Sequence, residues 1–412
     1  MIFSKYNLIS KFHEQIVILN TLYKTIIYLD KDHASALNDD LLSRPEHELY
    51  SFLVKNKMIV ERDQEKEFLD KMIRGYQEVP LYRFVFFTSL RCNLACDYCY
   101  ETHRSSTLSQ KSYRDILAYL KDKHGIFGFD WFGGEQILAY KTICWFMEEF
   151  KKDHPHDKIL SSMTTNGTLL TRRIFDDLIH HGVTSFQITI DGDKECHDQH
   201  RVTPTGEGTF DTILSHLIKM KDNPEKFEII VRVNMNQETK LTSFFSLFEK
   251  HFGADKRFCV FLFPVSDWGK MDEDYRGKLL TKTDFFRQAN LLMAEHPNIR
   301  NYQFEELASG SVICNYGRPN IFVVNAEDQI VDCTLDYTNN PYGSVAELEK
   351  INRERSNELS CHEYECPIFP ICFGDCCKNQ RKNCRRSIDN YRVLLEYAIL
   401  KKEKEKAKAK QL

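Results

Sequence analysis

Along residues 81–300 the apolar positions switch repeatedly between two periods. Short runs rich in β-branched and aromatic residues predict strands at Phe84–Thr88, Phe127–Phe132, Ile159–Thr165, Ser185–Ile190, Phe227–Asn234 and Phe258–Phe263. Stretches of helical period lie between them. One starts at Ser109, a predicted N-cap, and carries Tyr113, Ile116, Leu117 and Leu120 at i, i+3, i+4 and i+7; another carries Phe210, Ile213, Leu214 and Leu217. Six strand–helix units in succession predict a parallel sheet with right-handed crossovers. Six are too few to close an eight-unit barrel. The fold class expected is therefore α/β, a partial (β/α)6 TIM-like barrel with its ligands at the C-terminal strand ends.

The flanks read differently. Three β-like runs (Leu8–Phe12, Gln15–Leu19, Thr25–Leu29) precede helical stretches around Glu46–Lys55 and Glu65–Tyr76, with a short strand at Met58–Val60 between the helices. Strands followed by helices in about 80 residues resemble a winged-helix module, and Pro80 suits a boundary. The division expected is an N-terminal module over 1–80, the barrel over 81–300, a cysteine-bearing extension over 301–395 and a charged tail over 396–412. The tail from Lys401, KKEKEKAKAKQL, reads as a frayed, solvated helix end.

Charge and hydropathy narrow the classes. Lys and Arg total 56 against 60 Asp and Glu, a net −4, which lacks the basic excess of a nucleic-acid binder. The longest apolar runs, such as Phe258–Phe263, are far shorter than the roughly 18 residues of a membrane span, and no signal peptide opens the chain. A cytoplasmic location without nucleic-acid or membrane partners is the expectation.

The 14 cysteines change the picture. Their share is well below the about 8–10% of a disulfide scaffold, and they cluster. Cys144, Cys196 and Cys259 stand alone and read as small buried apolar residues. Cys92-Asn-Leu-Ala-Cys96-Asp-Tyr-Cys99 directly follows the first predicted strand. Three thiolates can hold three irons of a 4Fe-4S cube, which ordinarily has four cysteine ligands, so one iron stays open. Structural zinc sites use four closed ligands, often in paired knuckles.

C-x3-C-x2-C after the first strand of a partial barrel resembles the radical S-adenosylmethionine (SAM) enzymes. The resemblance implies that Cys92, Cys96 and Cys99 hold a 4Fe-4S cluster, and that its open iron binds the amine and carboxylate of SAM. Reductive cleavage then yields a 5′-deoxyadenosyl radical that abstracts a substrate hydrogen. It further implies that Tyr98 lies along the adenine. Gly133-Gly134-Glu135 after the second strand is similar to the family's GGEP segment, with Gln136 in place of Pro, and implies contact with the SAM amine. Asn166 after the third strand, Thr189 after the fourth and Arg201 downstream complete the implied SAM contacts, Arg201 pairing with the carboxylate.

The later cysteines resemble the SPASM extension of these enzymes, which holds two auxiliary 4Fe-4S clusters. Asp328 stands at the Gly place of the family pattern, where Asp still tolerates turn geometry, and the first gap of the later run is x4 instead of x2. Position by position, Cys361, Cys366, Cys372 and Cys384 match the outer cluster, and Cys314, Cys333 and Cys376 the inner one. A fourth inner cysteine is absent from the NYGRPN that follows Cys314, with Cys377 an alternative ligand. Two zinc sites, or a structural knot without redox work, are the alternatives.

SPASM-bearing relatives largely modify peptides. The N-terminal module resembles the recognition element that adds a leader segment as a strand to a sheet edge. The implied function is a peptide maturase installing an intramolecular cross-link, thioether rather than carbon–carbon, in a ribosomally made precursor peptide. Flavodoxin or ferredoxin would be its electron donor. The alternative is a sulfatase-maturating, formylglycine-generating enzyme; in that branch an Asp follows the second SPASM cysteine as base, whereas Thr334 follows Cys333 here. The remote alternative is a non-enzymatic metal protein that binds nucleic acid. No catalytic base is assigned.

Overall fold

The computed structural model describes the chain except residues 268–270, 272, 311–317, 332, 336, 338–340, 356–364, 374–383 and 410–412, and except the side chains of 39, 384–387 and 408–409. It forms two compact units. One comprises Val79–Leu280 and Gly317–Asn357; the other comprises Met1–Glu78, Thr281–Tyr316 and Glu358–Leu412.

The first unit is built on the six predicted strands: Leu81–Ser89, Ile126–Gly133, Lys158–Thr165, Ser185–Thr189, Glu228–Met235 and Phe258–Pro264. They lie side by side in chain order and all neighbours run parallel. This is the α/β partial barrel expected. The helices between them are amphipathic for the reasons legible in the sequence. Ser109 caps Gln110–Leu120 by accepting from the Ser112 amide, and Tyr113, Ile116 and Leu120 turn inward. Aromatic rings fill the first layers of the core: Phe86 stacks on Trp131 at 4.7 Å and meets Phe146 edge-on at 5.3 Å.

The strands at Ile321–Val324 and Gln329–Val331 were not anticipated. Ile321–Val324 pairs parallel to the first barrel strand on its free edge, then turns into an antiparallel hairpin with Gln329–Val331. The turn is Asn325–Asp328, and Asp328 takes the left-handed conformation (φ 62°) that a Gly would adopt there. A segment assigned by sequence to the cysteine-bearing extension therefore completes the barrel's sheet. Its run of four buried residues reads equally as any short buried element.

In the second unit, Asn7–Phe12, Gln15–Asn20 and Thr25–Leu29 form an antiparallel sheet, with helices Glu48–Lys55 and Arg62–Glu78 after it. Both sheet faces are covered. Leu8, Val17 and Leu19 pack with Leu394, Leu395 and Ile399 of the C-terminal helix Cys384–Ala409; Ile16, Ile18 and Ile27 pack with Leu49 and Leu53. The charged tail differs from its sequence reading. It continues that helix to Ala409, Glu403 accepts from Gln15 at 2.7 Å, and Lys402 lies 4.6 Å from the Tyr28 ring centroid. Lys, Glu and Ala are strong helix formers, and the segment is held by these contacts. Cys144, Cys196 and Cys259 are buried, as expected. Among the described residues no helix is long and apolar enough to cross a membrane.

Candidate functional site

The site lies at the C-terminal ends of the barrel strands, where every predicted contact residue of the first cysteine group falls. Cys92, Cys96 and Cys99 are unpaired and partly exposed on the loop after Leu81–Ser89. Burial pushes the Cys92 thiol up to about 11 and the Cys99 thiol up to about 12, and raises that of Cys96. These groups ionise readily only beside a cation, which is what an iron supplies. The loop is braced by Leu90 and Leu94, both buried, and by the Ala95 amide, which donates to the Val202 carbonyl at 2.8 Å.

The two glycines are explained by this loop. Gly134 donates to the Ser89 carbonyl at 2.9 Å, and Glu135 to that of Arg91 at 2.8 Å. A Cβ on Gly134 would stand 2.2 Å from the Arg91 carbonyl oxygen, and Gly133 has a φ of +110°. The pair lets the second strand's exit lie directly against the segment entering Cys92.

Glu135 is fully buried and ties three loops together. One carboxylate oxygen accepts from the Thr165 hydroxyl at 2.6 Å and the Ile137 amide at 2.9 Å, the other from the Asn166 amide at 2.8 Å. A carboxylate has about four acceptor positions, so one remains. Burial raises its pKa despite these bonds, and a nearby ammonium would offset that. Gln136, at the place of the usual Pro, is also fully buried. Its Oε1 accepts from the Thr88 hydroxyl, and its Nε2 has no hydrogen-bond partner among the described residues. The Asn166 amide group donates to Asn93 at 2.9 Å and lies 3.8 Å from the Cys92 sulfur, placing the third strand's exit beside the cysteine loop.

Tyr98 and Arg201 meet in a network. The Tyr98 hydroxyl donates to Asp191 and accepts from the Arg201 guanidinium at 2.7 Å and from the Asn234 amide at 3.3 Å. Burial holds that hydroxyl well above the usual phenol range. Arg201 is 8% exposed and stands 3.9 Å from Asp191, and its Nε has no hydrogen-bond partner among the described residues. Thr189 is buried at the end of the fourth strand.

Sequence reasoning gave no role to Asp191, His197, Thr209, Arg232 or Asn234. Asp191 accepts from the Asn234 backbone N–H at 2.9 Å as well as from the Tyr98 hydroxyl, while it is the Asn234 side-chain amide that reaches Tyr98. His197 has no exposed surface; it accepts from the Asp191 amide at 3.1 Å, and its other nitrogen lies 3.0 Å from Thr209, whose hydroxyl donates to the Arg201 carbonyl. Burial, with Arg201, His200 and Lys194 nearby, pushes its pKa well below the ordinary value and keeps it neutral. Arg232 donates to Asn234 at 2.8 Å and lies 3.9 Å from the Phe263 ring centroid. The available signals were an arginine inside the apolar strand EIIVRVNM and a histidine four residues before Arg201.

The later cysteines divide by unit. Cys333 belongs to the barrel unit, partly exposed after the Gln329–Val331 strand. Nearby Tyr337 stacks on Phe87 at 4.7 Å and accepts from the Thr102 amide at 2.9 Å, three residues past Cys99. Cys366 and Cys372 belong to the other unit and are partly exposed. Cys314, Cys361, Cys376 and Cys377 lie outside the described residues; Cys384 begins the C-terminal helix and its side chain is likewise outside them.

Residues 86–237 match the model of the radical SAM superfamily. The cysteine-type anaerobic sulfatase-maturating enzyme of Clostridium perfringens (strain 13 / Type A) is 24% identical over 359 residues, covering 78% of this chain and 96% of that enzyme. The serine-type anaerobic sulfatase-maturating enzyme of Bacteroides thetaiotaomicron is 25% identical over 183 residues, covering 42% of this chain and 44% of that one. The solved structure of native anSMEcpe with bound AdoMet and Cp18Cys peptide shares the fold, with a TM-score of 0.60 at 22% identity, covering 79% of this chain and 99% of that chain. With the C-x3-C-x2-C loop at the head of an open parallel barrel, these matches place the chain among the enzymes of the radical SAM superfamily.

Proposed function

We propose that the chain oxidises a cysteine or serine side chain within a polypeptide substrate, in the manner named for the sulfatase-maturating relatives. The observation that carries this reading is the extent of the match, 96% of the Clostridium perfringens enzyme's length. The site residues fit the cofactor set that the superfamily implies. Cys92, Cys96 and Cys99 would hold a 4Fe-4S cluster; the unpartnered Arg201 Nε would meet a carboxylate, and the free acceptor position of Glu135 an amine. When bound, cluster and SAM supply a hydrogen-abstracting radical. The chain's own part is positioning. Tyr98, Asp191 and Asn234 fix the Arg201 guanidinium, and the Gly133–Gly134 turn holds the second strand's exit against the cysteine loop. Two auxiliary clusters on the later cysteines, a leader segment bound at an edge of the N-terminal sheet and a flavodoxin- or ferredoxin-type donor belong to the same proposal. Since both faces of that sheet are covered, only its edges are left for an added strand.

The second reading is formation of an intramolecular thioether. It is favoured by Thr334, which puts a hydroxyl where the sulfatase branch has a carboxylate beside its cysteine. The two reactions leave different products. Oxidation of a cysteine side chain to an aldehyde releases its sulfur; a thioether retains the sulfur and removes two hydrogens. The reconstituted enzyme is incubated with SAM, reductant and a cysteine-containing peptide, and the product is analysed by mass spectrometry and hydrazide labelling. A hydrazide-reactive, sulfur-free residue is expected. A product that keeps its sulfur and carries no carbonyl would overturn the oxidation reading in favour of the cross-link.

A further inference from the structure

The barrel's opposite end carries a second cluster of ligating side chains, and none of it is used by the site above. His124 precedes the second strand; His154 and Asp157 precede the third. The His154 Nδ1 lies 3.0 Å from Asp157 Oδ2, and the His124 Nδ1 lies 3.5 Å from the same oxygen. The three residues each offer one ligand atom, and all of these lie within 4.8 Å of one another.

We propose that His124, His154 and Asp157 bind a divalent transition cation of the zinc class. Zinc bonded to nitrogen and oxygen at about 2.0–2.1 Å in tetrahedral geometry sets its ligand atoms about 3.3–3.4 Å apart. The two observed separations, 3.0 and 3.5 Å, bracket that spacing. Two imidazoles with one carboxylate select such ions over magnesium or calcium, which take all-oxygen sites.

The supporting contacts also suit a metal site. His154 is 2% exposed, and its ring is stacked on Phe150 at 4.3 Å and tilted against Phe127 at 4.7 Å, which fixes its orientation. The other oxygen of Asp157 accepts from the Gly125 amide at 3.3 Å. Gly125 is itself pinned: a Cβ there would stand 2.2 Å from the Pro80 carbonyl oxygen. Both carboxylate oxygens thus have assigned partners, as ligating carboxylates do. His124 is largely exposed, with 79% of its side chain open to solvent, leaving a route for the ion and a fourth position for water. The bound ion would tie together the N-terminal ends of two neighbouring barrel strands.

The test uses the full-length enzyme with its iron–sulfur clusters reconstituted before zinc is added. Zinc retained after desalting is measured per chain, and its coordination is read by X-ray absorption at the zinc edge. The expected result is about one zinc per chain with nitrogen and oxygen neighbours at about 2.0–2.1 Å and no sulfur shell near 2.3 Å. His124→Ala and Asp157→Asn should each weaken zinc binding by more than the roughly 10–100-fold that follows loss of an outer-shell partner. His124→Ala removes an exposed ring, so unchanged iron content and SAM cleavage are expected for it. Zinc binding equal in parent and His124→Ala, or a sulfur shell in the parent, would overturn the proposal.

Discussion

His197 shows how a single side chain outside the ligand set can govern it. Its Nδ1 accepts the Asp191 amide, and its Nε2 side reaches the Arg201 carbonyl through Thr209. Asp191 in turn holds the Tyr98 hydroxyl against Arg201. Replacing His197 by Leu leaves the Asp191 amide without its acceptor. A buried donor so stranded costs about 1–3 kcal/mol of folding stability, and SAM affinity should fall as well, because Asp191 no longer holds Tyr98 and Arg201 in place. His197→Asn offers an oxygen near the Nδ1 position and should recover most of that affinity in the same titration. The neutral ring also sets a pH dependence. Its folded pKa lies well below the ordinary 6.5, so the unfolded chain binds the extra proton first as pH falls. The stability contributed by the neutral ring is complete above about pH 6.5 and is lost below it, by up to about 1.4 kcal/mol per pH unit until the folded pKa is reached. In His197→Asn this acid-side slope should flatten in denaturant titrations.

At the scale of elements, the strand exits act as one construction. The glycine turn after the second strand rests on the segment entering Cys92, and Glu135 ties that turn to the third strand's exit. Gly134→Ala would force its Cβ into the Arg91 carbonyl. Overpacking of this kind costs about 1–3 kcal/mol and displaces the loop. Iron retention at the first cluster and SAM affinity should both drop, while the far-ultraviolet circular dichroism stays that of the parent. Unchanged iron and affinity would show that the close approach is not needed.

Much of this was legible in the sequence. All six barrel strands appear within a few residues of their apolar runs, because buried parallel strands are continuous apolar segments flanked by helical periods. Asp328 was read as a turn residue and has φ 62°. The strand Ile321–Val324 was not legible, since its pairing with Leu81–Ser89 spans more than two hundred residues and four buried positions carry no period. Asp191 and Asn234 were not legible for a related reason: their roles arise only where several loops and one strand meet.

At the scale of the whole chain, the cysteines are shared between two folding units. Cys92, Cys96, Cys99 and Cys333 belong to the barrel unit; Cys366 and Cys372 belong to the unit that contains the N-terminal sheet. In that unit the sheet shares its core with Ile368, Ile371 and the C-terminal helix. Deleting residues 1–80 would therefore strip Leu8, Val17 and Leu19 from the core against which Cys366 packs, so truncation cannot test the proposed leader-binding edge apart from the proposed cluster ligands. Substitution of ligands can. The triple change of Cys92, Cys96 and Cys99 to Ala leaves the later cysteines untouched, and the loop it alters is braced independently by Leu90, Leu94 and the Ala95–Val202 hydrogen bond. If the later cysteines hold two further clusters of four irons, iron should fall from about twelve to about eight per chain, and 5′-deoxyadenosine formation should vanish. Iron and sulfide analysis, with chromatographic assay of the nucleoside under reducing conditions, reads both quantities on one preparation. Surviving 5′-deoxyadenosine would remove Cys92, Cys96 and Cys99 from the SAM-cleaving role. Its disappearance with iron near zero would keep that role and remove the auxiliary clusters instead.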